Sequence, residues 1–155
     1  KELEGVQIEE KLGQTIPLDL IFRDESGAPK KLGEFFGDGL PVVLTFNYSS
    51  CPMLCSVQLG GLVATLTKME WSAGTQFRVL TIGLDPNEKA ERTAETKSRY
   101  VGRYGREGAS DGWHFLAGSE NSIRDLATAV GVSYRYSHNC LLRFVPPLGI
   151  LDSLS

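Results

Sequence analysis

Apolar residues in this chain gather into short runs separated by segments in which they recur every three or four positions. Ile16–Phe22 reads as a first strand, followed by a turn at Asp24-Glu25-Ser26-Gly27. Pro41–Asn47 is a continuous, β-branched run, the pattern of a central strand buried on both faces. Tyr48–Cys55 is then a loop and turn. Leu59, Leu62, Val63, Leu66 and Met69 recur at helical spacing and predict an amphipathic helix over Cys55–Trp71. Phe77–Leu84 repeats the buried-strand pattern. Asp85-Pro86-Asn87-Glu88 carries a helix-start signature: an acidic cap, proline at the first helical position and a glutamate three residues after the cap. That helix is expected to run to about Tyr104 and stop at Gly105. Trp113–Leu116 is a short strand. Ile123, Leu126, Ala127 and Val130 mark a third helix closed by Gly131, and Val132–Tyr136 with Leu141–Val145 form a closing strand pair. The alternation implies an α/β fold, a central mixed sheet flanked by helices.

Length changes this picture little: 155 residues suit one domain, with residues 1–13 as an N-terminal extension. Net charge is -3 with the two signs intermixed and no basic run, which argues against nucleic acid or an anionic membrane surface as partner. The longest apolar stretch, Leu40–Phe46, is far too short to span a bilayer. The charged opening, Lys1-Glu2-Leu3-Glu4, fits both a cytosolic start and the remainder left after a leader or membrane anchor is removed.

The cysteines change it more. There are three, Cys51, Cys55 and Cys140, too few for a disulfide-stapled scaffold. Cys51-Pro52-Met53-Leu54-Cys55 sits where a buried strand feeds a helix, and there free backbone N–H groups and the positive helix end stabilise a thiolate. Two such thiolates can close a disulfide or share a soft metal, Cu(I) or Zn(II). Two cysteines acting as small hydrophobes are the plain alternative. Met53 reads as an apolar loop contact, with its thioether as the second option.

Four segments together resemble the Sco/SenC family, copper chaperones of the thioredoxin superfamily linked to assembly of the copper site of cytochrome c oxidase. They are Pro41–Tyr48 leading into Cys51–Cys55, Leu84-Asp85-Pro86, Trp113-His114-Phe115-Leu116 with Gly118, and Val130-Gly131-Val132-Ser133-Tyr134. The resemblance spans roughly residues 14–150 and implies a thioredoxin-like fold. It implies a copper ion, Cu(I) or Cu(II), held by Cys51, Cys55 and His138, with Gly149 at the spacing of the glycine turn that follows the histidine strand in that family. It puts Asp85 at an acidic position beside the metal, compatible with the capping role read from its sequence context. It also implies a copper-receiving partner such as a cytochrome c oxidase subunit, and an extracytoplasmic location, the bacterial periplasm or the outer face of the inner membrane, behind a removed N-terminal anchor. His114 reads as structural or half-exposed rather than as a ligand. Cys140, two residues past His138, reads as a packing residue or a spare thiol on the same side of the strand. The chain departs from the family in the brevity of the segment before His138, Tyr136-Ser137, and in its ending at Leu151–Ser155, where the family continues with a strand and a helix.

A thiol–disulfide oxidoreductase acting on partner cysteines through Cys51 and Cys55 is the alternative function. Three residues rather than two between the cysteines change the ring such a disulfide closes. The proline that faces the cysteines in thioredoxins is Leu141 here. A peroxidase lacks support, because Ser49 and Ser50 precede Cys51 with no threonine three residues ahead of it. A bare interaction module has no use for two thiols at a helix start.

Overall fold

The computed structural model describes residues 11, 13–48, 52–134 and 149–151, with residues 52–55 and 149–151 described by their backbone alone. Strands β1 (Ile21–Arg23), β2 (Pro29–Lys31), β3 (Val42–Asn47), β4 (Arg78–Gly83), β5 (Trp113–Gly118) and β6 (Gly149–Leu151) form one mixed sheet in the order β2-β1-β5-β4-β3-β6. Helices α1 (Pro52–Lys68), α2 (Ala90–Tyr104), α3 (Ala109–Gly112) and α4 (Glu120–Ala129) connect them. β3, β4 and β5 run parallel, and β1 and β6 are antiparallel to their neighbours β5 and β3. This is the expected α/β architecture of a central mixed sheet flanked by helices.

The continuous apolar runs fall on the parallel strands because both faces of these are covered. On one face Phe22, Leu44, Phe46, Leu80 and Ile82 pack with Ile123 and Leu126 of α4. On the other, Val43, Val79, Trp113 and Phe115 pack with Leu59, Leu62 and Leu66 of α1 and Tyr100 and Tyr104 of α2. The second face also buries a short polar row: the hydroxyls of Thr45 and Thr81 lie 2.9 Å apart, and the Trp113 indole N–H donates to Thr81. α2 stops where Gly105 takes a left-handed conformation (φ 67°), and α4 starts where the Ser119 hydroxyl accepts the Ser122 N–H.

Several expectations are corrected. The first strand covers Ile21–Arg23 rather than Ile16–Phe22, because the carbonyls of Leu18 and Leu20 accept bonds from Gly33 and Leu32 of a 3₁₀ turn at Leu32–Phe35 instead of a strand ladder. α2 begins at Ala90, with Lys89 as its extended N-cap, so Asp85 does not cap it. Asp85 closes a turn of its own: its side chain accepts the Asn87 N–H at 2.9 Å and its carbonyl accepts the Glu88 N–H. Among the described residues Val132–Tyr134 is no strand: Val132 makes an isolated β-bridge, and its N–H returns to the Ala127 carbonyl at the end of α4. Tyr136 and Leu141–Val145, the rest of the expected closing pair, lie outside the described residues. Gly149, expected in a turn, opens β6, which pairs Gly149 with Leu44 and Leu151 with Val42. β3 is buried along its whole length, and pairing satisfies backbone groups on its outer edge that would otherwise be unmatched.

Candidate metal centre

The site is built at the carboxyl end of the parallel strands. β3 ends at Asn47, Tyr48 is buried behind it, and α1 starts at Pro52, where a residue without an N–H is no loss to the helix. Cys55 is the fourth residue of α1 and so lies in its first turn, among the N–H groups that have no partner within the helix. It stands four residues, one turn, ahead of Leu59, which is fully buried. Gln58 donates its side-chain amide to the Phe46 carbonyl and holds the second turn of α1 against the end of β3.

β4 ends beside β3: Asn47 pairs with Gly83 in register, and the Leu84 N–H donates to the Asn47 carbonyl at 2.8 Å. Asp85 therefore leaves the sheet at the same end as the chain leading to the cysteines. β6 is antiparallel to β3, so its first residue, Gly149, faces that end too. Cys51, His138 and Cys140 lie outside the described residues. The backbone thus brings together the first turn carrying Cys55, Asp85 and the start of β6. Among the described residues no three His, Cys, Asp or Glu side chains cluster so as to hold a metal, and no helix is long and apolar enough to cross a membrane.

Two groups at this strand end escaped the sequence reading. Asn47 is buried, and its side-chain carbonyl oxygen has no hydrogen-bond partner. Glu88 is buried as well, with its carboxylate lying over Gly83, where any Cβ would collide with Oε2. Glu88 had read as half of a helix start and Asn47 as the last position of an apolar run. The one available signal was the polar Asn47 closing a strand that runs directly into a cysteine loop. The buried amide of Asn47 and carboxylate of Glu88 make this end of the strands polar.

His114 is elsewhere. As second residue of β5 it lies toward the amino end of the parallel strands, its Nε2 2.9 Å from the Asp111 carbonyl and its ring 4.8 Å from that of Phe35. Its Nδ1 faces Glu25, 3.7 Å away. Glu25 also pairs with Lys97, whose ammonium donates to the Ser110 carbonyl as well. Burial by itself raises the Glu25 carboxyl, but the neighbouring His114 ring and the hydrogen bond and charge of Lys97 outweigh it and carry the pKa down to about 2. The reading of His114 as a structural, partly exposed residue agrees with this setting.

No match was found among curated protein sequences. Among solved structures, a candidate electron transfer protein of Aquifex aeolicus superimposes with a TM-score of 0.67 at 22% identity, covering 92% of this chain and 83% of its own. Arabidopsis thaliana ScoI with copper bound gives 0.61 at 18% identity, over 86% of this chain and 80% of its own. BsSco, a member of the Sco family of cytochrome c oxidase assembly proteins in which a disulfide switch was identified, gives 0.57 at 19% identity, over 79% and 67%. These likenesses establish the thioredoxin-like fold. The sequence profile of SCO1/SenC matches residues 22–140, a span that contains Cys51, Cys55, Asp85 and His138. On that match, which covers most of its length, the chain belongs to the SCO1/SenC family.

Proposed function

We propose that this chain is a copper-binding metallochaperone that hands its metal to a partner protein in assembly of the copper site of cytochrome c oxidase. The observation that carries the reading is the family match, which spans both cysteines and the histidine in one stretch. Two further findings support it: the Arabidopsis relative is described with copper bound, and Cys55, Asp85 and the start of β6 leave the sheet at one end. In this proposal reduced Cys51 and Cys55 hold copper as thiolates and His138 closes the site. Copper is the cargo, and it leaves by ligand exchange to cysteines or histidines of the receiving protein, such as an oxidase subunit. Asp85 stands beside the site and shapes the turn that borders it. The work is extracytoplasmic, in the periplasm or at the outer face of the inner membrane.

The test is addition of Cu(II) to reduced protein. Wild type gives a thiolate-to-copper charge-transfer band. Cys51→Ala abolishes it, and His138→Ala weakens or shifts it. Equal copper binding by wild type and Cys51→Ala would refute the proposal. A second reading draws on the disulfide switch described for BsSco. Cys51 and Cys55 would pass two electrons to a partner disulfide and themselves become a disulfide, which also empties the metal site. A partner peptide disulfide that stays oxidised when mixed with the reduced, copper-free chain rules this second reading out.

A further inference from the structure

α1 and α2 lie side by side on one face of the sheet, and both start at its carboxyl end. They differ in charge. α1 carries one charged residue, Lys68, in its 17 positions, whereas α2 carries Glu91, Arg92, Glu95, Lys97, Arg99 and Arg103. Leu59, Leu62 and Leu66 of α1 face the core. Its opposite side carries Val57, Gly61 and Ala64, exposed and at helical spacing. A helix that lacks charge on both sides is the kind that is buried all round, and one copy of this chain covers only the inner half. Among the described residues Ile21, Val57 and Trp71 are the exposed large apolar side chains. Two of these mark the ends of α1: Val57, 71% exposed, near its start, and Trp71, 56% exposed, three residues past its end. Gly60 and Gly61 have open space where a Cβ would stand, so another backbone can approach closely between them.

The outer side of α2 is charged, and its signs are sorted. Glu91, Glu95, Arg99 and Arg103 are exposed and follow one another every four residues, on one ridge of the helix. The steps from Glu91 to Glu95 and from Arg99 to Arg103 set like charges side by side, which weakens a lone helix. The helix dipole favours acids first and bases last, but it provides no partner. Glu91, Glu95 and Arg99 make no ion pair among the described residues. Lys97 turns inward to Glu25, and Arg92 has a partner of its own. A second α2 laid antiparallel along the same ridge opposes Glu91 to Arg103 and Glu95 to Arg99, each twice, because both pairs are centred on Lys97. We infer that two copies of this chain associate through the outer face of α1 and α2, about a two-fold axis that sets each helix antiparallel to its counterpart. The uncharged α1 faces supply apolar area, and the α2 ridges fix the register by charge complementarity. The face is about 25 Å long and two helices, about 20 Å, wide, so each copy covers about 500 Å². That is the low end for a specific interface, so the dimer is weak and concentration-dependent. It uses none of Cys51, Cys55 and His138 and stands apart from the copper reading.

Sedimentation equilibrium of the full chain tests this, with reductant present so that no cysteine cross-link joins two copies. Wild type passes from monomer to dimer as its concentration rises across about 10–1,000 μM, and added salt moves the transition to higher concentration. Glu95→Arg and Arg99→Glu alter exposed positions, and circular dichroism like that of wild type confirms that each folds. Each reversal sets like charges against one another at two places across the axis and weakens association by about tenfold or more. An equimolar mixture of the two variants associates again, because positions 95 and 99 then oppose one another with opposite sign. Ala64→Glu, on the uncharged α1 face, also holds the chain monomeric. A wild type that stays monomeric overturns the inference and leaves this face to a protein of different sequence. A dimer that neither reversal weakens overturns it too, as does a mixture of the two variants that stays monomeric.

Discussion

The two ends of the parallel strands bury polar groups in opposite ways. Beyond the amino end of β5, Glu25 draws partners from three elements: Lys97 on α2, His114 on β5, and through these the carbonyls of Ser110 and Asp111 on α3. Its charge is matched even though its second oxygen, Oε2, goes without a hydrogen bond. At the carboxyl end, Asn47 and Glu88 are more deeply buried, a glycine is reserved to admit the carboxylate, and the amide oxygen has no partner. Burying polar groups lowers stability unless they are satisfied. The amino end therefore has the character of a structural lock tying the loop after β1 to α2 and β5. The carboxyl end leaves the Asn47 amide oxygen over, at the strand end where ligands gather in open parallel sheets.

Changes at the two ends should separate stability from metal binding. The largest effect is expected from Leu59→Ala, which empties a fully buried position one turn after Cys55. It should lower the unfolding free energy by about 2–5 kcal/mol in urea denaturation. It should also weaken copper binding at the proposed site, because α1 is the element that carries Cys55.

Lys97→Met comes next. It leaves the Glu25 carboxylate with the His114 ring as its remaining side-chain neighbour and should destabilise by about 1–3 kcal/mol, less than a fully buried pair because both side chains keep some solvent contact. The copper charge-transfer band should not change. A band lost in Lys97→Met would show that the two ends are coupled and would break the comparison. The same pair sets an acid limit. Glu25 has its folded pKa lowered from 4.5 to about 2, so the unfolded chain binds its proton first as pH falls. Its contribution is complete above pH 4.5 and lost progressively between there and pH 2. Because the group keeps some solvent contact, which screens its partners, that loss is expected to be about 1–2 kcal/mol. Unfolding curves recorded from pH 5 to pH 2 should therefore slope less steeply in Glu25→Gln than in wild type.

The smallest effect is expected from Ser119→Ala, which removes the N-cap of α4. Thermal melts should show a loss of about 1 kcal/mol. The copper spectrum should stay as in wild type, since α4 covers the face of the sheet opposite α1.

Much of this molecule could be read from residue order. β3 and β4 appear as unbroken runs because a strand covered on both faces has no polar side to show. The spacing of Leu59, Leu62, Val63 and Leu66 foretells α1, and Ile123, Leu126 and Ala127 foretell α4, because each helix buries one stripe. The strand-to-helix junction that places Cys55 in the first turn of α1 was legible for a related reason: it is set by residues close in sequence and by a local helix end. The Asp85 turn misled, because an aspartate, a proline and a glutamate in that order satisfy the local rules for a helix start. Those rules say nothing of an empty place over Gly83 into which Glu88 can turn.

The sequence by itself determined the order of the parallel strands' segments, the helices that cover them and the helix start that follows β3 and carries Cys55. Each of these follows from periodicity or from neighbours a few residues apart. Only the tertiary structure decided that Glu88 faces inward beside Asn47, that Lys97 and His114 meet on Glu25, and that Gly149–Leu151 pairs along β3. These relations join residues from 41 to more than 100 positions apart. They depend on which surfaces are left uncovered once the sheet has assembled, and no local pattern records that.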